Sequence, residues 1–251
     1  MALAELKDRL DTLSSTGILF VSKMVESLAS PPQARIIHQK TWLTNEWIEY
    51  FGLALAVHHG TTTEPLAQKS FETVFRNACE SVGWQILNPV SETRRFLDLK
   101  ILRDGYPEQR LSLKSTAAQR LSRTSVHISK LTEAAWVQDM RTARDRRDWT
   151  LMLFREYIEA VDSIIMLRAF RKGQNTPSMY QLVEIPSEIF QSLEHAPLAS
   201  FNADGPTIDC SYGEHDVAAR VSLDRSDAKI TVKQIQLSAC TVHVEWEIMR
   251  R

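Results

Sequence analysis

The hydrophobic pattern changes from a helical to a strand-like period at about residue 96, and this change limits the folds that the chain can adopt. Before it, apolar residues recur at three and four spacing through most of 2–57, and again from about Thr63 to Val82, ahead of Gly83. Such spacing predicts amphipathic helices, the later one with Pro65 in its first turn. A helical beginning followed by strands is typical of a domain that contains both element types.

Two short segments after this change predict a β-hairpin. Residues 96–102 and 110–114 alternate in polarity, and an Asp-Gly pair between them is a frequent turn signal. This prediction places Asp98 in the first strand and Lys114 at the end of the second. Because side chains alternate across a strand, the pairing can present Asp98, Ser112 and Lys114 on one surface.

The rest of the chain predicts further strands. A helical stretch, broken around 141–148, is expected to end near Val161, and a short helix to run from Pro186 to about Glu194. Strands are expected at 164–170 and 179–185, and a small antiparallel sheet at 218–223, 229–232 and 241–248.

We therefore predict an α/β fold with a mixed central sheet and flanking helices. A helical N-terminal part (1–60), a catalytic core (61–195) and a C-terminal β region (196–251) would form a single domain, 1–251.

Composition excludes several classes of protein. No apolar run approaches the roughly 20 residues of a membrane span, and the N-terminus lacks the pattern of a signal peptide. The three cysteines form no CxxC pair, which favours a reducing, cytoplasmic setting over a disulfide framework or zinc site.

The net charge is −1, yet residues 110–147 hold nine Lys or Arg against three acids, a local excess of +6. Such a region suits a polyanionic ligand, although a solvated helix surface explains its 141–147 part equally well.

The predicted surface of the hairpin has the groups that phosphodiester hydrolysis requires. A carboxylate such as Asp98 can hold Mg²⁺, and the backbone carbonyl of Leu113 can supply another oxygen ligand. The Lys114 ammonium can orient the attacking water and stabilise the charge of the transition state. A second carboxylate is needed, and Glu72 on the preceding helix and Glu133 on a following helix are the candidates. By itself the pattern is weak, because edge carboxylates and extended lysines are common in sheets.

Several further segments strengthen this interpretation. The chain resembles type II restriction endonucleases of the SmaI type, in the PD-(D/E)xK nuclease superfamily, from about residue 45 to the C-terminus. The resembling segments occur in the same order: Phe71–Phe75, Leu111–Ala118, Val126–Glu133, Leu167–Arg171, Tyr180–Pro186 and Cys240–Glu247. The resemblance implies a restriction-endonuclease-like core, a Mg²⁺ requirement, duplex DNA as substrate, and a homodimer acting on a short palindrome.

Two positions depart from the superfamily motif. Leu97 stands in place of the proline, which leaves the metal-binding Asp98 intact. Ser112 stands in place of the motif acid and cannot serve as a ligand carboxylate. Some members of the superfamily take the second acid from the following helix, which draws attention to Glu133, whereas Glu72 is preferred on its position beside the apolar face of its helix.

Four residues are candidates for binding DNA: Arg120, Arg123, His127 and Lys130. Arginine reads guanine through paired bonds but contacts phosphates more often, and His127 could equally be a polar core residue. The chain is therefore expected to be a type II restriction endonuclease that leaves 5′-phosphates. A nicking or repair endonuclease and a catalytically inactive DNA-binding relative remain the alternatives.

Overall fold

A computed structural model describes residues 3–87, 95–171 and 175–248. Positions 1–2, 88–94, 172–174 and 249–251 of the predicted domain lie outside these ranges. The helices are α1 (Leu3–Asp11), α2 (Ser15–Leu28), α3 (Asn45–Thr61), α4 (Gln68–Ser81) and α5 (Ala143–Ala160). The strands are β1 (Gln33–Ile36), β2 (Gln85–Leu87), β3 (Leu99–Leu102), β4 (Gln109–Thr116), β5 (Ser125–Glu133), β6 (Ser163–Phe170), β7 (Met179–Pro186), β8 (Thr207–Tyr212), β9 (His215–Asp224), β10 (Lys229–Gln236) and β11 (Thr241–Glu247). Short 3₁₀ helices cover Ala135–Gln138, Ser187–His195, Leu198–Phe201 and Leu237–Ala239.

The strands of the described ranges form two sheets. The larger sheet has the order β1-β11-β7-β6-β4-β3-β2 and is mixed, because β4 and β6 run parallel while its other neighbours are antiparallel. The smaller sheet has the antiparallel order β5-β10-β9-β8. The predicted α/β fold, with a mixed central sheet, flanking helices and a small antiparallel sheet, is confirmed.

The larger sheet is buried on both faces. Ile165 and Leu167 of β6 pack with α3 and α4, whereas Ile164 and Met166 belong to the cluster formed with α5 and the smaller sheet. This two-sided burial explains the continuous apolar run in β6, since a strand covered on both faces needs no polar alternation. Among the described helices, none combines the length and apolarity that a membrane crossing needs.

The N-terminal region contains a strand within the segment predicted to be helical. After Pro31 and Pro32 the chain is extended, and β1 pairs with β11, with Gln33 opposite Glu247. Proline disfavours helical geometry in the residue before it, and the sheet edge then supplies partners for the extended backbone.

The helix expected from Thr63 begins later, at Gln68, so Pro65 precedes it rather than lying in its first turn. The hydroxyl of Tyr180 accepts a bond from the Leu66 amide at 2.9 Å and thereby holds the approach to α4. The predicted end is confirmed, because Gly83 has a φ of 78° just after the helix, a conformation that glycine adopts without strain.

One strand lies in a segment that was predicted to be helical, and another belongs to a sheet other than the predicted one. Residues 125–133, expected within a helical stretch, form β5, because Val126 and Ile128 are buried in alternation with exposed neighbours and the strand pairs with β10. Residues 241–247, expected in the small C-terminal sheet, form β11 of the larger sheet, between β1 and β7.

The hairpin is confirmed with shifted strand ends. β3 begins at Leu99, so Asp98 immediately precedes the strand, and Lys114 lies inside β4 rather than at its end. Gly105 has a φ of 78° in the turn, and the Tyr106 amide bonds to the Arg103 carbonyl at 3.1 Å. The parallel partner β6 explains the longer β4, because it continues the hydrogen bonding of β4 through Thr116, opposite Arg168.

Candidate active site

The two hairpin strands separate beside the candidate residues. Strand pairing reaches Leu99 opposite Leu111, and one further bond joins the Asp98 amide to the Leu111 carbonyl at 3.0 Å. Upstream, Phe96 has a φ of 79°, a left-handed conformation that interrupts the extended chain. Beyond Leu111, β3 no longer pairs with β4. Side chains must therefore bond the backbone N–H and C=O groups along that edge of β4.

Asp98 makes the first of these contacts. Its Oδ2 atom accepts bonds from the Leu113 amide at 2.7 Å and from the Ser112 hydroxyl at 3.1 Å. The Lys114 Nζ atom lies 3.4 Å from the same oxygen, 3.0 Å from Ser112 Oγ and 3.2 Å from the Leu113 carbonyl oxygen. The structure thus brings Asp98, Ser112 and Lys114 together on one side of β4, with the Asp98 and Lys114 side chains 32% and 21% exposed.

Gln68 makes the second contact, and the sequence analysis missed it. Its Nε2 atom donates to the Leu113 carbonyl at 2.7 Å, and its Oε1 atom accepts from the Ser115 amide at 2.6 Å. The side chain thereby bonds β4 as a neighbouring strand would. Gln68 is the first residue of α4 and lies four residues before Glu72, a spacing that places both on one helix face and could have identified it.

Glu72 joins the cluster through Gln68. The same Nε2 atom donates to Glu72 Oε1 at 2.7 Å. Glu72, Gln68 and Lys114 line a cleft of about 300 Å³ whose opposite wall is formed by β5, including His127 and Lys130. The structure therefore places Glu72 beside the hairpin cluster.

Three oxygen donors at this site are of the kind that Mg²⁺ prefers: the Asp98 and Glu72 carboxylates and the Leu113 carbonyl. Lys114 Nζ bonds both Asp98 and the carbonyl, while Gln68 Nε2 bonds both the carbonyl and Glu72, so shared donors connect all three. In the parts of the chain that are described, no group of three or more His, Cys, Asp or Glu side chains could hold a metal ion. Two acids and one carbonyl suit a hard cation that keeps part of its water shell, as Mg²⁺ does.

The structure does not bring Glu133 into this cluster. It ends β5 instead of lying on a helix, and its side chain is 81% exposed. Its carboxylate pairs with Lys130 Nζ at 2.6 Å, and this contact lowers its pKa.

The four candidate DNA-binding residues differ in their surroundings. His127 and Lys130 line the cleft beside Lys114, and exposed Arg120 lies in the connection between β4 and β5. Arg123 packs its guanidinium over the Phe170 ring, 4.1 Å from the centroid, which favours a packing role.

Among the described residues, the hydrogen-bond acceptors of the Arg168 guanidinium are uncharged oxygen atoms. The side chain is buried in β6, donates to Gln181 Oε1 at 2.6 Å and bonds the Ser122 and Ser125 carbonyls. Burial, followed by the charge of the nearby Arg123, lowers its pKa to about 10. Arg168 therefore anchors the connection between β4 and β5, which carries Arg120.

Comparison with known proteins identifies the family. The sequence profile of the SmaI family, described as type II site-specific deoxyribonuclease, matches residues 6–248. The type II restriction enzyme SmaI of Serratia marcescens is 25% identical over 214 residues, which cover 82% of this chain and 81% of that enzyme. The chain belongs to the SmaI family of type II site-specific deoxyribonucleases and is an endodeoxyribonuclease.

Proposed function

We propose that this deoxyribonuclease is a restriction endonuclease that cleaves both strands of duplex DNA at a short palindrome in a Mg²⁺-dependent reaction. The observation that carries the proposal is the convergence of Asp98 Oδ2, the Leu113 carbonyl and Lys114 Nζ where β3 leaves β4. Family membership supports site-specific action on DNA.

Asp98, Glu72 and the Leu113 carbonyl would hold the metal ion. Bound there, Mg²⁺ would polarise a phosphate oxygen and lower the pKa of a bound water. The Leu113 amide and the Ser112 hydroxyl both donate to Asp98 Oδ2, so the carboxylate is oriented by the fold. This preorganisation reduces the rearrangement needed during catalysis.

Lys114 would act on the water and the phosphate. Its ammonium lies beside the Asp98 carboxylate and can donate to the attacking water and to a phosphate oxygen as negative charge increases. The water oxygen forms a bond to phosphorus and gives up one proton to solvent, while the bond from phosphorus to the 3′-oxygen breaks. The 3′-oxygen takes a proton from solvent, which leaves a 5′-phosphate and a 3′-hydroxyl.

We propose a homodimer as the active form. A palindrome has twofold symmetry, so two related copies can each cut one of the antiparallel strands. Exposed apolar side chains on α2 support self-association, with Leu19, Phe20 and Val25 exposed by 68%, 53% and 57%. Sedimentation velocity over a range of protein concentrations is expected to show a dimer, and a monomer throughout would contradict this assembly.

We also propose a reducing, cytoplasmic setting. Cys79, Cys210 and Cys240 are free thiols. Burial raises the pKa of each thiol to about 12, so they remain protonated and poorly reactive.

Digestion of a fully sequenced plasmid, followed by mapping of the ends, tests the proposal. We expect double-strand cuts at fixed sites with Mg²⁺, 5′-phosphates at every end, and no cleavage in EDTA. Cleavage in EDTA would contradict the mechanism, because the proposed activation of the attacking water depends on a bound metal ion. Persistent cutting of only one strand would instead identify a nicking enzyme.

A further inference from the structure

The outer face of the smaller sheet carries a row of polar side chains beside the cleft. Asp209 of β8 lies opposite Arg220 of β9, which lies opposite Lys233 of β10. The neighbouring residues Val221 and Val232 are buried in the core. Because side chains alternate across a strand, the row faces away from that core.

A β-bulge adds one residue to this face. Val232 pairs with Ile128 and Ile235 pairs with Val126, so Lys233 and Gln234 together lie opposite His127. Gln234 has a φ of 51°, a left-handed conformation that is unfavourable for a residue with a side chain. Bulges redirect side chains and are frequent next to active sites.

The redirected Gln234 helps to fix the Arg220 side chain. Arg220 Nε donates to Asp209 Oδ1 at 2.9 Å, and its Nη1 donates to Gln234 Oε1 at 2.5 Å. These two contacts use two of the five N–H donors of a guanidinium. The side chain is 42% exposed, so its remaining donors can reach a ligand.

Arg220 and Gln234 border a groove of about 540 Å³. Arg220, Lys233 and Gln234 line one wall, and the connection that carries Arg120 lines the other. Thr116 and His127 border both this groove and the cleft beside Lys114, so the two are continuous. Among the described residues that line the groove there is no Asp or Glu. Burial and the charges of Lys233 and Lys229 lower the pKa of His127, as expected in a positive environment.

We propose that this groove receives the bases of the cleaved duplex and that Arg220 is a specificity-determining residue that contacts the edge of a guanine. The inference rests on the proposed function, since it assumes that duplex DNA lies in the adjoining cleft. An arginine fork matches the two acceptors of guanine in the major groove. Asp209 and Gln234 hold that fork in one orientation, which reduces the entropy lost on binding. Asp209 also offsets the charge of Arg220, which favours base reading over phosphate binding, whereas Lys233 suits a phosphate.

The test is cleavage of a duplex library that contains a randomised segment, with the products sequenced. The wild-type enzyme is expected to select one motif. Arg220→Ala should lose preference for guanine at one position and its symmetry mate by about tenfold to a hundredfold, with other positions unchanged. Lys233→Ala should weaken cleavage of all sequences alike. Arg225→Ala is the matched control. Arg225 lies in the turn after β9, pairs with Asp204 and does not line the groove.

Each outcome decides a different claim. An unchanged motif in Arg220→Ala, or uniform weakening across all sequences, would overturn the inference while wild-type cleavage sustains the proposed function. If Arg220→Ala cleaves nothing, bound library members are selected with Lys114→Ala and with the Lys114→Ala/Arg220→Ala double variant. Loss of the guanine preference only in the double variant supports the inference. The same motif selected by both variants overturns it. A wild-type enzyme that cleaves no library member would overturn the proposed function, and the inference with it.

Discussion

At the scale of single residues, Ser112 determines how the carboxylates are arranged. Its hydroxyl donates to Asp98 Oδ2 at 3.1 Å and accepts from Lys114 Nζ at 3.0 Å, so it bridges the carboxylate and the ammonium. An acid at this position would place a second negative charge against Asp98. In the proposed mechanism the additional carboxylate would come from another element, and Glu72 on α4 is the candidate that Gln68 connects to the cluster.

Glu72→Gln and Glu133→Gln form a matched pair that ranks the two acids. We expect Glu72→Gln to raise the Mg²⁺ concentration needed for half-maximal cleavage by about tenfold, because it removes a ligand charge from the cleft. Glu133→Gln should remain within about twofold of wild type, because exposed ion pairs contribute little. Mg²⁺ titrations of the cleavage rate measure both effects, and the reverse order would place the second carboxylate on β5.

Gln68→Leu tests whether the amide positions the catalytic strand. The substitution keeps the size of the side chain but removes its bonds to Leu113, Ser115 and Glu72. We expect kcat to fall at least tenfold, DNA binding to change little, and stability to fall by about 1–3 kcal/mol. Asn77→Ala, on the exposed face of the same helix, is the control for urea unfolding and single-turnover rates. Wild-type kcat in Gln68→Leu would show that α4 does not position the site.

At the scale of elements, a histidine holds the connection from α3 to α4. His59 Nδ1 lies 3.2 Å from the Thr62 carbonyl and its Nε2 lies 2.9 Å from the Tyr180 hydroxyl, whose oxygen accepts from the Leu66 amide. Because the Thr62 carbonyl can only accept a hydrogen bond, the ring proton of His59 lies on Nδ1. Nε2 then accepts a bond from the Tyr180 hydroxyl. This arrangement needs a neutral ring, and it fixes the chain just before Gln68.

The pH dependence of stability tests this connection. Burial, followed by the nearby His58, lowers the pKa of His59 from 6.5 to about 4. The unfolded chain therefore binds more protons between pH 6.5 and 4, and stability falls as the pH falls through that interval. Between pH 7 and 5 the loss from His59 should be about 1 kcal/mol after allowance for solvent access.

Urea unfolding at both pH values, compared with His59→Gln, measures this loss. The variant should show the smaller decrease, while His195→Gln, at an exposed position, should behave like wild type. An equal decrease in all three proteins would show that His59 does not titrate in this interval.

Local patterns predicted some elements well and others poorly. The hairpin, β6 and β7 follow from alternation, apolar runs and a turn pair, all of which lie within a few residues. The strand β5 was assigned to a helical stretch because its partner, β10, is about a hundred residues away in the sequence. The sequence predicts that Asp98 and Lys114 share a surface, and the structure brings them together. Gln68 was not predicted, because its contacts with β4 depend on where β3 ends, a tertiary feature.

At the scale of the whole molecule, some Lys and Arg residues of the basic region 110–147 make contacts within the protein, whereas others border the cleft. Arg110 pairs with Asp162 at 2.5 Å, and Arg146 is buried and bonds the Phe201 and Asn202 carbonyls. The local excess of +6 is therefore not one continuous binding face. The Lys and Arg residues that border the cleft and the adjoining groove come from β4, β6, the connection between β4 and β5, and the smaller sheet.

The most direct test of the account is cleavage of a supercoiled plasmid by wild type, Asp98→Ala and Lys114→Ala with Mg²⁺. Each variant should fold normally, since both side chains are partly exposed, and should lose at least about a hundredfold in rate. Gel-shift assays should show that Lys114→Ala still binds specific DNA and that Asp98→Ala binds more tightly, because a charge facing phosphate is removed. Near wild-type turnover in either variant would contradict the account and make the hairpin cluster purely structural.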